Sequence, residues 1–392
     1  MKRKRPKKRA SGKNESIFTC GAYYARVMKL KKNFLRTAAA LASAVLFLSG
    51  TVQATPAVSA DSAIVMDAAC GAVLFEKNAD ARSLIASTTK IMTGLLVLER
   101  CSMDDAVTVP PEAVGIEGSS LYLKAGETLT VEALLYGMML HSGNDAAVAL
   151  AIHTCGSEQD FVCAMNERAQ ELGLRQTHFA NPNGLDSEGN YSTARDLACL
   201  AAAALENERF RTVVSTKTAT FGTRSFANHN KLLWQYPGAI GVKTGYTKAA
   251  GRILVSAAEK DGRRLIAVTI SAPDDWNDHK KLLDEGFSCF EARTVLCGGD
   301  RIGSVPVLDG VQEEVGLTVQ EDVSCMLLPQ ERIELRVLAP RFLCAPVQMG
   351  RAGTVQILTG KTVLAEIPIF YEASVEKKPE EPGFWERLFG GK

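Results

Sequence analysis

Two apolar runs, residues 63–67 and 71–76, flank a short Ala-Ala-Cys-Gly turn and predict a β-hairpin. Beyond it the period changes. Ser87 opens a predicted helix in which Ile91, Leu95, Leu96 and Leu98 recur at helical spacing to about Arg100. Residues 131–140 and 144–153 are strongly apolar and of helical length. Thr193-Ala194-Arg195-Asp196 has the spacing of a capping box and predicts a helix over 194–206. Apolar runs at 239–242, 253–258 and 265–270 predict strands, and a helix near 277–287 follows. Strands at both ends with helices between imply an α+β domain over residues 61–290, one sheet covered by a helical cluster.

From Cys297 the pattern shortens. Runs at 302–307, 333–337 and 355–358, broken by Gly, Pro and Asp, predict a small all-β domain over 297–371. Residues 372–392 form a charged linker and a short tail. In that tail Phe384, Trp385, Leu388 and Phe389 share one helical face, which predicts weak contact with a membrane surface. At the other end, Lys29, Lys31, Lys32 and Arg36 precede an uncharged apolar stretch, 37–50. Small residues follow, with cleavage candidates after Ala54 and Ala60. Residues 1–60 therefore predict a leader and signal peptide, with Met28 as an alternative start. The mature chain is expected outside the cytoplasm, at or near the outer face of the cytoplasmic membrane.

Composition narrows the function. The chain has 392 residues, 46% of them hydrophobic, enough for two domains. Lys+Arg 45 against Asp+Glu 44 leaves a net charge of +1, which argues against a nucleic-acid partner. Of ten cysteines none falls in a C-x-x-C pair, so no metal site is expected. Their scatter through apolar segments predicts buried free thiols.

Three short strings carry the candidate chemistry. In Ser87-Thr88-Thr89-Lys90 the serine and lysine lie at i and i+3, so Lys90 Nζ can reach Ser87 Oγ. A serine hydroxyl needs a neighbour to take its proton, and a lysine can do so only if burial and a second cation lower its pKa. Lys243 is the candidate cation. Ser142-Gly143-Asn144 lies between two apolar helices; Ser142 can relay a proton and Asn144 can bind a substrate amide, or Asn144 or Asp145 can cap the second helix. Lys243-Thr244-Gly245 follows a predicted strand, where Lys243 and Thr244 can meet a carboxylate and Gly245 permits close approach. A second S-x-x-K, Ser374-Val375-Glu376-Lys377, falls in the polar tail and shows how easily the pattern arises alone.

The combination is specific: S-x-x-K and K-T-G with a middle S-D-N-type box mark penicillin-binding proteins and class A β-lactamases. The chain resembles the serine-type D-alanyl-D-alanine carboxypeptidases, the low-molecular-mass penicillin-binding proteins. The likeness rests on residues 86–93, 141–146 and 241–247, with further matches at 181–186 and 191–196. It implies a β-lactamase/transpeptidase-like fold for the first domain and a β-rich second domain. It also implies that Ser87, activated by Lys90, attacks the penultimate D-alanine carbonyl of a peptidoglycan stem peptide. Ser142 would assist, and Asn144, Lys243, Thr244, Gly245 and Tyr246 would bind substrate, the Ser87 and Tyr246 N–H groups forming the oxyanion hole. No cofactor is implied, and β-lactams are implied as covalent inhibitors. A D,D-endopeptidase, a β-lactamase and a non-catalytic wall-binding protein are the alternatives. The absence of an E-x-x-L-N string between Ser142 and Lys243 disfavours the β-lactamase.

Overall fold

The computed structural model describes residues 56–380. Most of the expected leader, and the tail carrying Phe384, Trp385, Leu388 and Phe389, lie outside the described residues. The expected hairpin is present as β1 (Ser62–Asp67) and β2 (Val73–Lys77). Three later strands, β3 (Ala239–Thr247), β4 (Gly251–Lys260) and β5 (Arg263–Ile270), complete an antiparallel sheet in the order β2-β1-β5-β4-β3. The start of the domain thus pairs with its end, Ile64 opposite Val268. All six residues of β1 are buried, which explains its continuous apolar run. Ile64 and Met66 face the main core, while Ala63 and Val65 pack toward Leu282 and Leu283 of α6 (Asp275–Ser288).

The helical cluster includes α1 (Lys90–Arg100), α2 (Val131–Leu140), α3 (Asn144–Cys155), α4 (Glu158–Glu171), α5 (Ala194–Leu205) and the short helix Glu208–Ser215. Every residue of α3 from Asn144 to Ala151 is buried, so this alanine-rich helix runs through the middle of the cluster. It extends two residues beyond the expected end and stops where Gly156 takes a left-handed φ of +86°. Thr193 caps α5 by accepting from the Asp196 N–H at 3.0 Å. The reciprocal half of the box is missing, because the Asp196 carboxylate accepts instead from Gln176 N and Thr177 Oγ1.

The second domain begins earlier than expected. Strand β6 (Glu291–Leu296) pairs with β9 (Val323–Leu327). Strands β7 (Arg301–Leu308), β8 (Glu314–Thr318), β10 (Glu334–Leu338), β11 (Arg351–Thr359) and β12 (Thr362–Tyr371) form a curled sheet. Its order is β10-β11-β12-β8-β7, with Leu343–Cys344 on the outer edge of β7. Val305, Leu317, Val355 and Ile357 fill its core. Arg263 of β5, 1% exposed, joins the domains: its guanidinium meets Asp67 at 2.9 Å and Glu331 at 3.0 Å.

The cysteines depart from expectation. All nine described are free thiols, but only Cys325 is buried; Cys70, Cys163, Cys297 and Cys344 are exposed. Cys70 lies in the hairpin turn and Cys297 past a strand end, while Cys163 is on the exposed side of α4 and Cys344 in a two-residue edge strand.

Candidate active site

The expected helix start at Ser87 is instead a single tight turn, Ala86–Thr89, and α1 begins at Lys90. Ala86 holds a left-handed φ of +45°, costly for a residue with a Cβ, and this bends the chain so that Ser87 faces a cleft. Lys90 is fully buried beneath it. Its Nζ lies 3.0 Å from Ser87 Oγ, 2.6 Å from Asn144 Oδ1 and 2.5 Å from the Asn183 carbonyl. Three acceptors satisfy an ammonium; a neutral amine keeps the Asn144 and Asn183 bonds and turns its lone pair on the Ser87 hydroxyl. Burial, then the neighbouring Lys243 charge, drive the Lys90 pKa well below the usual lysine range, against a smaller opposing pull from Asp145.

Ser142 sits in the α2–α3 loop with φ +66°. Lys243, 1% exposed, donates to Ser142 Oγ at 3.1 Å and to the Thr244 carbonyl at 2.9 Å. Burial lowers its pKa to about 7. The N-cap of α3 is Gly143, with no side-chain cap, so the capping alternative for this string is not what the structure has. Asn144 is engaged within the protein at both polar atoms, Oδ1 with Lys90 and Nδ2 donating to the Glu117 carbonyl at 2.6 Å. The Asp145 carboxylate accepts from Ala146 N in the first turn of α3 (2.9 Å) and also from Ser120 Oγ (2.7 Å), Leu121 N (2.9 Å) and Leu123 N (3.1 Å). It fastens residues 120–123, next to Ser119 of the cleft lining.

Lys243-Thr244-Gly245 lies inside a strand rather than after one, because β3 continues in register with β4 as far as Thr247. Among the described residues β3 pairs within its sheet only with β4, leaving an edge beside the cleft. A Cβ on Gly245 would stand 3.3 Å from Ala86 Cβ, Ile85 O and Ser87 N, so the glycine sets how closely this edge meets the serine turn. Thr244, Gly245 and Tyr246 line a cleft of about 510 Å³ together with Ser87 and Ser142. All eight residues expected at the site therefore converge. The decoy does not: Ser374 Oγ accepts from Met349 N, and Lys377 pairs with Glu380 at the surface.

Several participants carry no motif of their own. Asn183 contributes a carbonyl, and Gly184 (φ +86°) packs so closely that a Cβ would fall 1.9 Å from the Ala86 carbonyl oxygen. The likeness at residues 181–186 is the one hint of their position. The far cleft wall is Arg252, bonded to Asp275 at 2.8 Å with its guanidinium 5.9 Å from the Trp276 ring centroid. His229 also lines the cleft; burial, Lys243 and His141 lower its pKa to about 4, so it is neutral at pH 7.

A sequence profile of D-alanyl-D-alanine carboxypeptidases, peptidase family S11, matches residues 49–274. A second profile, the C-terminal domain of penicillin-binding protein 5, matches residues 290–377. Among similar proteins, the D-alanyl-D-alanine carboxypeptidase DacF of Bacillus subtilis is 36% identical over 81% of this chain and 86% of its own length. DacA of Escherichia coli is also 36% identical, over 81% and 86%. Penicillin-binding protein 5 of Haemophilus influenzae superposes with a TM-score of 0.59 at 31% identity, covering 82% of this chain and 99% of that one.

Proposed function

The chain belongs to the peptidase S11 family of D-alanyl-D-alanine carboxypeptidases, and from that premise we propose how its own residues perform the reaction. The observation that carries the proposal is Lys90, buried without a carboxylate at its Nζ and held against Ser87 Oγ by Asn144 and the Asn183 carbonyl. Neutral Lys90 takes the Ser87 proton as Oγ attacks the penultimate D-alanine carbonyl of a peptidoglycan stem peptide. The Ser87 and Tyr246 N–H groups receive the oxyanion. The peptide C–N bond breaks, and the leaving D-alanine nitrogen takes a proton from Lys90 or through Ser142, which Lys243 orients. Water, deprotonated by the same amine, then attacks the ester and frees Ser87. Asn144 acts here chiefly by aiming Lys90.

The terminal carboxylate of the substrate meets Thr244, Lys243 and Arg252. Burial draws Lys243 toward neutrality, and Arg252, oriented by Asp275 at 2.8 Å, adds a guanidinium to the same cleft. A β-lactam would acylate Ser87 by the same attack. The test is D-alanine release from a stem pentapeptide, with intact-mass analysis after benzylpenicillin. Wild type should release D-alanine and gain one adduct, and Ser87→Ala should do neither. An adduct that persists in Ser87→Ala overturns the assignment.

The same reading places the protein outside the cytoplasm, exported by the basic and apolar segment ahead of residue 55 and touching the membrane through Phe384, Trp385, Leu388 and Phe389. Cleavage after Ala54 is favoured over Ala60. Ser59 N and Oγ and Ala60 N all donate to the buried Asp278 carboxylate, at 2.9, 2.7 and 3.2 Å, and Ala60 is fully buried. Cutting after Ala60 would strip that carboxylate of Ser59. N-terminal mass analysis of secreted protein should find Thr55 first, and Asp61 first would overturn the choice.

A further inference from the structure

Helices α1 and α3 run side by side in the same direction. Their N-terminal residues, Lys90 and Asn144, meet at 2.6 Å in the active site. Their other ends meet too: Cys101, the residue after α1, lies with its Sγ 3.4 Å from Oγ1 of Thr154 in the last turn of α3. Around this second junction the ligand atoms of Cys101, Asp105 and His153 all lie within 4.8 Å of one another. The active-site mechanism uses none of the three.

We propose that Cys101, Asp105 and His153 form a zinc-binding staple tying the C-terminal ends of α1 and α3. Thiolate, imidazole and carboxylate together form a donor set suited to Zn2+. Ligand atoms of a tetrahedral zinc site stand roughly 3.3–3.6 Å apart, so a closure of about 1 Å completes it. Asp105 and His153 are exposed and Cys101 is half-buried, so side-chain rotation can supply that movement. Asp105 is already positioned, accepting from Ser102 N at 2.8 Å. The field is favourable as well, since two parallel helices direct their negative ends to this point. Binding moves the Cys101 thiol proton to solvent and forms the S–Zn bond. His153 donates a ring-nitrogen lone pair, Asp105 a carboxylate oxygen, and water fills the fourth position. Helices of 11 and 12 residues put the staple about 17 Å from Ser87, so its action is on the stability of the helix pair that holds Lys90 and Asn144. No C-x-x-C search finds it, because the ligands come from two separate segments.

The test titrates the full chain with Co2+, then Zn2+. Wild type should show a thiolate-to-cobalt charge-transfer band that Zn2+ removes, and a melting temperature that rises with Zn2+. Cys101→Ser should lose the band and the rise, and His153→Ala and Asp105→Asn should each bind about tenfold more weakly or worse. Cys163→Ser, which alters an exposed thiol elsewhere, should behave as wild type. Benzylpenicillin labelling of Ser87, unchanged in all variants, verifies that each is folded. No charge-transfer band in wild type, or a band that survives in Cys101→Ser, overturns the staple.

Discussion

Gly184→Ala tests whether the serine turn is held from behind by backbone packing. An added Cβ would sit 1.9 Å from the Ala86 carbonyl oxygen and 2.5 Å from its carbon, against the 3.4 Å at which ordinary contact begins. The deficit of about 1.5 Å cannot be relieved by a side chain, because both obstructing atoms are backbone. Either the Ala86–Ser87 turn or the 181–184 segment must retreat, and the second carries the Asn183 carbonyl that holds Lys90. The left-handed φ of +86° adds about 1–2 kcal/mol of strain for any residue with a Cβ. Displacing reacting groups by about 1 Å costs on the order of 100-fold in rate, so acylation should fall by about 100-fold or more. The assay is the second-order rate of Ser87 labelling by a fluorescent penicillin, with thermal melting in parallel. Gly71→Ala is the control: it has a similar φ of +72° but open space around the Cβ, so it should lose stability without losing acylation. If Gly184→Ala acylated within about threefold of wild type, the reasoning would fail.

Lys90→Met should fold yet acylate about 100- to 10,000-fold more slowly, and unchanged labelling would remove Lys90 as the base. Because burial depresses the Lys90 pKa, kcat/KM should rise with pH through an acid limb far below an ordinary lysine's titration. Loss of the Lys243 proton near pH 7 should oppose that rise. A bound carboxylate stabilises the Lys243 ammonium, so the alkaline limb of kcat should lie higher than that of kcat/KM; coincident limbs would separate Lys243 from substrate binding. Asp145→Ala removes the acceptor for Ser120, Leu121 and Leu123 while Asn144 still holds Glu117 and Ser119, and should raise KM about tenfold and cost about 1–3 kcal/mol in urea unfolding. An unchanged KM would limit Asp145 to stability. Arg263→Ala leaves Asp67 and Glu331 buried and uncompensated and should cost about 3–5 kcal/mol, whereas a loss under about 1 kcal/mol would show that water enters the pocket.

How much of this was legible in the sequence follows from what kind of atom does the work. Ser87 and Lys90 are readable together because three residues of chain fix their separation, whether the turn is helical or tighter. The other two boxes are readable as strings, one carried by the α2–α3 loop and the other by β3 through its pairing with β4. What could not be read is carried by main chain or by register. The Asn183 carbonyl has no side-chain signature, and Gly184 looks like any loop glycine until Ala86 is set against it. Asp145 reads as a helix-start residue, and only the folded 120–123 segment shows that its carboxylate also holds a second stretch of chain. Arg252 reads as an ordinary strand residue; pairing opposite Tyr246 brings it to the cleft. In Lys243-Thr244-Gly245 a lysine and a glycine interrupt the apolar run, which in sequence ends the strand, yet ladder bonds to β4 carry it through them. The cysteines misled for a related reason: an apolar neighbourhood in sequence does not say which way a thiol points. The readable part of the site is therefore its reacting side chains, and the hidden part is the backbone that aims them. A protein with all three boxes intact but a side chain at position 184 would look catalytic in sequence and, by this geometry, would acylate poorly.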